Sequence, residues 1–468
     1  MFGQLLRLLI QLITLVVLSR LLAPEDFGFI AMTTAIVGLG ELIRDLGLSS
    51  ASIQARDLSR QQRTNLFWLS TVIGLLVAAA VAAAAPLVAA FYDEAALVTV
   101  TLALAVTFAL NGASAQHKAS LARDLRFRAL AVVETISPLA AATLAICLAM
   151  SGWSYWSLVV QQIALALIGL LLVLVIARWL PGLPRRTDGM RPLLTYGFHL
   201  LGAQVVAYFS RNIDTVVLGQ RFGATAVGLY SRAFELVINP LNQVNAPSSK
   251  VAVPILSRLQ EDSQRYNAFL LRGQKVMLMA VIPVLAAAIA TAEPLIDIVL
   301  GPSWGQVAPL FQILAVAGIV RICAYATYWI ALSRGATKIS LYVNLIAVPV
   351  YGGCVLAGSL FGVTGVAIGF ATASTITWAI GLIWYTRAAA APGWRLLTGA
   401  LRIVLAVVPA TAAAWAVSLV PAISGTITEL AAGLGAFALV FSLTVLLARP
   451  VRSDFMEAVA VIRLLRSR

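Results

Sequence analysis

Long apolar stretches alternate with short polar segments along the whole chain. A helix needs roughly 20 mostly apolar residues to cross about 30 Å of hydrocarbon. No stretch resembles a strand-rich soluble domain, so the pattern predicts an all-α polytopic membrane protein with about 14 transmembrane helices. The predicted spans, with ends placed to within several residues, are 2–19, 27–48, 65–90, 95–114, 130–150, 157–177, 193–219, 225–247, 270–291, 307–331, 339–358, 364–385, 401–420 and 427–448.

The composition supports this class. Hydrophobic residues make up 61% of the 468 residues, and charged residues only 11%. A soluble protein of this size presents a polar outside to water and would not carry so much apolar surface. The first stretch has the length of a signal peptide, but it lacks a basic start, and Gln4, Arg7 and Gln11 interrupt its apolar run. We therefore expect a retained span.

The basic residues are distributed unequally between the loops that follow even-numbered spans and those that follow odd-numbered spans. Of the 33 Lys and Arg residues, 26 lie in or beside loops that follow even-numbered spans, whereas only Arg20 and Arg221 lie in loops after odd-numbered spans. The positive-inside rule then predicts that both termini and every basic loop are cytoplasmic. The net charge of +14 follows from this topology and from attraction to anionic membrane lipids, and nucleic acid is not expected as a partner.

Other classes of site lack their signatures. The sequence has no Cys-x-x-Cys motif and only two histidines, His117 and His199, so neither a metal site nor histidine-based catalysis is expected. It has no Walker-type phosphate loop, so ATP is not expected to drive it directly. Two stretches on the predicted cytoplasmic side, 250–268 and 451–468, combine charge with helical apolar spacing and predict helices lying at the membrane interface. For the second stretch, a solvated tail is the alternative.

The chain resembles itself at a shift of about 200 residues. The segment RLLAPEDFG precedes the second span as RFGATAVG precedes the eighth. The spacing of 24 residues from Arg128 to Gly152 recurs from Lys338 to Gly362. Six spans repeated in one orientation predict two lobes related by an axis along the membrane normal, as in transporters that bind cargo between two halves.

The repeat also predicts a domain organisation. The two lobes hold six spans each, and two further helices and a tail follow them. The predicted parts are an N-lobe at 1–191, a C-lobe at 192–386, spans 13 and 14 at 387–450, and a cytoplasmic amphipathic tail at 451–468.

Several blocks resemble a known family. The stretch SRLLAPEDFGFIAMTTAIVGLGELIRDLGLSSASIQARDLS closely resembles the second-span signature of bacterial polysaccharide flippases. These Wzx-like proteins belong to the multidrug/oligosaccharidyl-lipid/polysaccharide exporter superfamily. The later blocks SRNIDTVVLGQRFGATAVGLYSRAFELVINPLNQV, VPILSRLQEDSQR and AEPLIDIVLGPSW are similar to the same family, in the same order.

This resemblance implies a transporter that is not an enzyme. Its substrate would be a repeat unit of sugars linked through diphosphate to a polyprenol, which moves from the cytoplasmic to the outer leaflet of the bacterial inner membrane. The lobes would alternate in access, and the polymer would be an exopolysaccharide, lipopolysaccharide or capsule. Partners would be the lipid-linked oligosaccharide, membrane lipids, and a polymerase or glycosyltransferases with which the flippase assembles.

Charged residues inside the spans are the candidate site. Side chains with charge at bilayer depth are expensive to bury, so they normally face a cavity or a partner. Three acid–base pairs stand three residues apart, which places their side chains together on a helix. The alternative for each is that the pair merely neutralises itself. The pairs are Glu41 with Arg44, Arg211 with Asp214, and Arg232 with Glu235.

Because the implied cargo contains a diphosphate, we expect arginines inside the spans to contact its phosphate groups. A guanidinium matches phosphate oxygens with two parallel hydrogen bonds. Arg7 and Arg321 rank first because neither has an acidic neighbour three or four residues away, and Arg44 and Arg211 rank next. The alternative for Arg7 is a pairing with Glu134 or a position near the membrane surface.

Net export needs an energy source, and a coupling ion needs a carboxylate that changes protonation or binds sodium. No cofactor is expected beyond a coupling H⁺ or Na⁺. Asp214 and Glu134 are the first candidates for this role, and Glu41 and Asp45 follow.

Three other functions remain open, one of them a lipid-binding scaffold without transport, in which charge inside the spans would have no purpose. A multidrug or organic-cation antiporter of the same superfamily would favour an acidic cavity, but the charges inside the spans are five basic and five acidic. A membrane polysaccharide polymerase would need a catalytic loop on the outer face. The outward loops hold two arginines and no histidine, which argues against it.

Overall fold

The protein is described by a computed structural model that covers residues 2–55, 57–185, 190–420 and 425–466. Some side chains lie outside the described part. They are those of the first helix up to residue 8, several between residues 190 and 211, and those after residue 460.

The described residues are helical almost throughout, which confirms the predicted all-α class. Ten helical stretches among them are long and apolar enough to cross a membrane, judged by length and composition. The total of fourteen spans stays a prediction. The helices are α1 (Phe2–Leu21), α2 (Pro24–Asp45), α3 (Leu48–Gln54), α4 (Arg60–Tyr92), α5 (Ala96–Arg123), α6 (Phe127–Met150), α7 (Trp156–Ala177), α8 (Met190–Arg258), α9 (Ser263–Ala290), α10 (Ala292–Val299), α11 (Val307–Ser333), α12 (Thr337–Gly358), α13 (Gly362–Ala388), α14 (Gly393–Ser418), α15 (Thr426–Leu447) and α16 (Arg449–Arg466).

Residues 1–231 form one compact unit, called unit 1 here. In it α4 packs along α5, α6 along α7, and α2 lies against both α4 and α5. Glycines allow the closest of these contacts, because a Cβ on Gly74 would lie 2.7 Å from the carbonyl oxygen of Phe108. Apolar side chains such as Val37, Val77 and Phe108 fill the space between the three helices.

Residues 232–468 form the second compact unit, unit 2. Here α11 packs on α9 and α13, α12 on α13, and α14 on α9 and α15. The last helix, α16, packs on α9. Its Asp454 is only 2% exposed and accepts from Lys275 at 2.9 Å and from Arg402 at 3.1 Å.

The long helix α8 is two helical segments that meet at Gly223. This glycine has φ +76°, a conformation that other residues rarely adopt, and it breaks the helix between the predicted spans 193–219 and 225–247. The second segment continues to Arg258. The predicted interfacial helix at 250–268 is therefore wrong: its first half belongs to α8, and its second half lies in α9, which begins after Asp262.

Backbone conformations recur at the positions of the predicted repeat. Gly152 after α6 and Gly362 at the start of α13 both have positive φ, +80° and +82°. The residues before α6 and α12 match in the same way, with φ +53° at Leu125 and +62° at Gly335. The same turns therefore begin and end the corresponding helix of each unit.

Candidate functional site

The last turn of α2 holds an ion pair inside unit 1. The guanidinium of Arg44 donates to both carboxylate oxygens of Glu41, from Nε at 3.0 Å and from Nη2 at 2.8 Å. Its third nitrogen donates to the carbonyl oxygen of Asn111 on α5, at 3.3 Å. Arg44 is buried, whereas the Glu41 side chain is 43% exposed. The predicted pair exists, and it neutralises most of the charge of Arg44 locally.

Lys118 adds a second cation to this region. It is half-buried in α5, and the charges of Glu41, Arg44 and Glu134 all act on its ammonium group. Among the described side chains, no carboxylate lies within ion-pair distance of it. Lys118 therefore offers a positive charge that no carboxylate of the described part contacts directly.

The sequence analysis missed Lys118 because it placed the fourth span at 95–114 and assigned this lysine to a cytoplasmic loop. The helix instead continues to Arg123. One sequence signal could have found it: Asn111 and Lys118 are seven residues apart, which places both on one face of a helix.

The other carboxylates of unit 1 differ in their surroundings. Asp45 accepts from the hydroxyl of Ser49, at 2.5 Å, just beyond the end of α2. Glu134 lies half-buried in α6 and is held by further electrostatic contacts. Neither residue shares a hydrogen bond with the Glu41–Arg44 pair among the contacts of the described side chains.

Asp214 is the most enclosed carboxylate of unit 1. It is 2% exposed and accepts from the hydroxyl of Tyr230 at 2.7 Å and from the backbone N–H of Thr215 at 2.8 Å. Both donors are neutral. The side chain of its predicted partner Arg211 lies outside the described residues, as does that of Arg7.

Arg321 is a cation of unit 2 whose described hydrogen-bond partner is neutral. It lies half-buried in α11, donates to the amide oxygen of Asn242 at 3.2 Å, and stands next to the buried Tyr325. Its Nε is buried without a hydrogen-bond partner among the described residues. In the same part of the chain no carboxylate lies within ion-pair distance of it.

Arg232 contrasts with Arg321. Its guanidinium forms an ion pair with Glu235 at 2.9 Å, as the spacing predicts. An arginine held by a carboxylate has less charge to offer a ligand than one held by an amide oxygen. Of the two arginines, Arg321 is therefore the better hydrogen-bond donor to a phosphate group.

The cations of this arrangement can bind an anion. Lys118 in unit 1 and Arg321 in unit 2 are cations that contact no carboxylate among the described residues. Within the described residues no group of three or more His, Cys, Asp or Glu side chains could hold a metal ion.

Comparisons with known proteins show the family and the fold of the chain. The profile of a family described as polysaccharide biosynthesis protein matches residues 17–309. The lipopolysaccharide biosynthesis protein WzxC of Escherichia coli is 23% identical over 77% of this chain and 74% of its own. The teichuronic acid biosynthesis protein TuaB of Bacillus subtilis is 26% identical over 80% of this chain and 78% of its own.

Two solved structures share the fold. The lipid II flippase MurJ in an inward closed conformation matches with a TM-score of 0.71 over 95% of this chain and 96% of its own, at 14% identity. An inward-facing multidrug resistance transporter of the MATE family matches with a TM-score of 0.62 over 82% of this chain and 94% of its own, at 17% identity. The predicted MATE-like fold is confirmed, and the chain is a multi-pass membrane protein.

Proposed function

Because the chain belongs to the polysaccharide biosynthesis protein family, we propose that it is a flippase for lipid-linked oligosaccharide repeat units. It moves a sugar chain, linked through diphosphate to a polyprenol, from the cytoplasmic to the outer leaflet of the bacterial inner membrane. The family match over residues 17–309 carries this proposal. The names of WzxC and TuaB support it, since both refer to the making of surface polysaccharides.

The membrane-embedded cations fit such a cargo. A diphosphate-linked sugar is anionic and strongly hydrated, so it needs compensating charge while it crosses a region of low dielectric constant. Arg321 offers a guanidinium whose described partner is the neutral amide oxygen of Asn242, and Lys118 offers an ammonium group beside the Arg44–Glu41 pair. We assign Arg321 and Lys118 to the cargo phosphates. Arg7, Arg44 and Arg211 stay predicted members of the same set.

Coupling to an ion is the next part of the proposal. Asp214 is the best candidate because both of its hydrogen-bond donors are neutral, so its charge is not fixed by a described cation. Glu134 ranks second. Glu41 ranks lower, because Arg44 engages both of its oxygens. Asp45, bound to Ser49, ranks last.

The orientation rests on the distribution of Lys and Arg between loops. It supports cytoplasmic termini and a cytoplasmic entry for the cargo. Access alternates between the two sides of the membrane. Assembly with a polymerase or with glycosyltransferases is a further prediction.

Deletion of the gene tests this function in the organism that encodes it. The expected result is a build-up of lipid-linked repeat units on the cytoplasmic leaflet together with loss of the surface polymer. Expression of the full chain should reverse both effects. Normal export after deletion, in a strain with no second flippase, would reject the proposal. Loss of resistance to organic cations with normal polymer would support the antiporter alternative.

A further inference from the structure

A polar cavity of about 110 Å³ lies in unit 1, where the end of α3, the start of α4 and the end of α5 meet. It is separate from the charges around Glu41 and Arg44. Its polar lining comes from Ser52, Arg63, Gln116, Ser120, Arg123 and Asp124. This volume holds several water molecules, or a group about as large as a phosphate.

The lining carries an excess of positive charge. Arg63 and Arg123 line the cavity with one carboxylate, Asp124, which is exposed to solvent. Arg63 also stands in the first turn of α4, which contains no acidic residue. The free N–H groups make this end of a helix positive, so a cation there is unfavourable unless an anion lies nearby.

The two side chains that contact Arg63 directly are neutral, and the charges of Asp124 and Arg123 act on it from nearby. Its guanidinium lies over the ring of Trp179, with 4.3 Å between Cζ and the ring centroid, and it donates to the hydroxyl of Ser120. Of the residues that line the cavity, Arg63 has a buried Nε without a hydrogen-bond acceptor among the described residues. Buried donors of this kind normally bind an acceptor, which points to a ligand.

The rest of the wall is rigid. The hydroxyl of Ser52 donates to Gln116 at 2.7 Å, and the amide of Gln116 donates to Ser70 at 3.2 Å. Arg123 donates to the backbone carbonyl oxygens of Ser52 and Ala55, at 2.8 and 2.6 Å, and so ties the end of α3 to α5. A site held in this way needs little rearrangement to bind a ligand.

From these observations we infer that the cavity binds a phosphate group, and that its occupant is the phosphodiester headgroup of a membrane phospholipid. Two arginines and one aspartate leave one net positive charge, which matches the single negative charge of a phosphodiester. The ends of transmembrane helices bring the cavity to the level of lipid headgroups. This site does not depend on the proposed flippase activity, because it concerns binding alone.

Binding to the purified full-length chain tests the inference. The detergent-solubilised protein is titrated with dioctanoyl phosphatidylglycerol, with inorganic phosphate, and with dioctanoylglycerol, which has the same acyl chains and no phosphate. Arg63→Gln is compared with Arg60→Gln, since Arg60 is an exposed arginine in the same turn that does not line the cavity. We expect Arg63→Gln to weaken phosphatidylglycerol binding by about tenfold or more, and Arg60→Gln to leave it within about twofold of the wild type.

The outcomes separate the sources of phosphate. Binding of phosphatidylglycerol that depends on Arg63 supports the lipid headgroup. Arg63-dependent binding of inorganic phosphate alone supports the anion site and overturns the lipid assignment. Equal binding by both variants, or equal binding of dioctanoylglycerol, overturns the site. Should Arg63→Gln not fold, Ser120→Ala keeps every charge and should still weaken binding, and unchanged binding in that variant overturns the site as well.

Discussion

Gly28 and Gly228 occupy equivalent places in one reciprocal contact. A Cβ on Gly28 would overlap the carbonyl oxygen of Ala224, and a Cβ on Gly228 would overlap the carbonyl oxygen of Pro24. The same offset in residue number separates the two glycines and the two residues that they contact. Both lie in the segments that the sequence analysis identifies as a repeat, so these segments pack against each other through matching backbone faces within unit 1.

We expect Gly28→Ala and Gly228→Ala each to lower the melting temperature of the purified protein by several degrees. A methyl group there has no space and must force the two helices apart, at a cost of about 1–3 kcal/mol. Gly202→Ala is the control, because Gly202 lies in the first segment of α8 with nothing within 4 Å of its Cβ position. An equal effect of all three substitutions would contradict the close contact.

Lys118→Gln should lower complementation of the deletion strain by about tenfold or more, because it removes a cation that no described carboxylate contacts. Arg128→Gln is the matched control, since Arg128 is an exposed basic residue at the start of the next helix. Surface polymer in the complemented strain is the measurement. Equal export by both variants would remove Lys118 from the cargo site.

The sequence predicts the helical architecture well because apolar runs of this length leave few other folds. It fails where helices continue past the apolar run. α5 extends to Arg123 and carries Lys118 with it, and α8 extends to Arg258, so the predicted interfacial helix at 250–268 does not form. Hydropathy measures contact with lipid, whereas these helix ends are set by packing and capping at the membrane edge.

The candidate site was harder to predict. The spacing of three residues identifies the pairs Glu41–Arg44 and Arg232–Glu235, since that contact is local to one helix. The partners of Arg321 and Asp214 come from distant parts of the sequence or are neutral, as with Asn242 and Tyr230. A single sequence does not contain that information.

Arg321→Ala should abolish complementation, whereas Arg232→Ala should be milder, because Glu235 already neutralises Arg232. Asn242→Asp gives a sharper test. It places a carboxylate 3.2 Å from the guanidinium of Arg321 and should reduce activity by neutralising it, while Asn242→Ala should act weakly. The yield of membrane-inserted protein controls for folding. If Asn242→Asp exports as well as Asn242→Ala, the charge of Arg321 does not matter to transport.

Asp214→Asn should abolish export driven by an ion gradient while leaving cargo binding within about twofold of the wild type, since the substitution keeps the size of the side chain and removes its ionisable group. Tyr230→Phe is the companion variant. It removes one hydrogen bond to Asp214 and keeps the carboxylate, so it should retain partial activity. Full gradient-driven export by Asp214→Asn would exclude this residue from coupling.

Asp454→Asn should lower the melting temperature more than Asp262→Asn does. Asp454 is buried and pairs with both Lys275 and Arg402, so removing its charge takes away the carboxylate that the two cations share, at a cost of about 1–2 kcal/mol after allowance for their partial exposure. Lys275 keeps its contact with Glu457 at 3.4 Å. Asp262 forms an exposed pair with Arg265, which contributes at most about 1 kcal/mol. Equal shifts would show that α16 is not held by this network.

Transfer of cargo between leaflets by the purified full-length chain tests the proposed function most directly. The protein is reconstituted into liposomes that contain a polyprenyl-diphosphate-linked oligosaccharide, and the fraction of sugar accessible to an external glycosidase is followed over time. The proposal predicts that, with the wild type, the accessible fraction of sugar rises above the fraction of cargo that lies in the outer leaflet at the start. With Arg321→Ala, it should rise far more slowly. A wild-type protein that folds, inserts and leaves accessibility at the level of protein-free liposomes would contradict it.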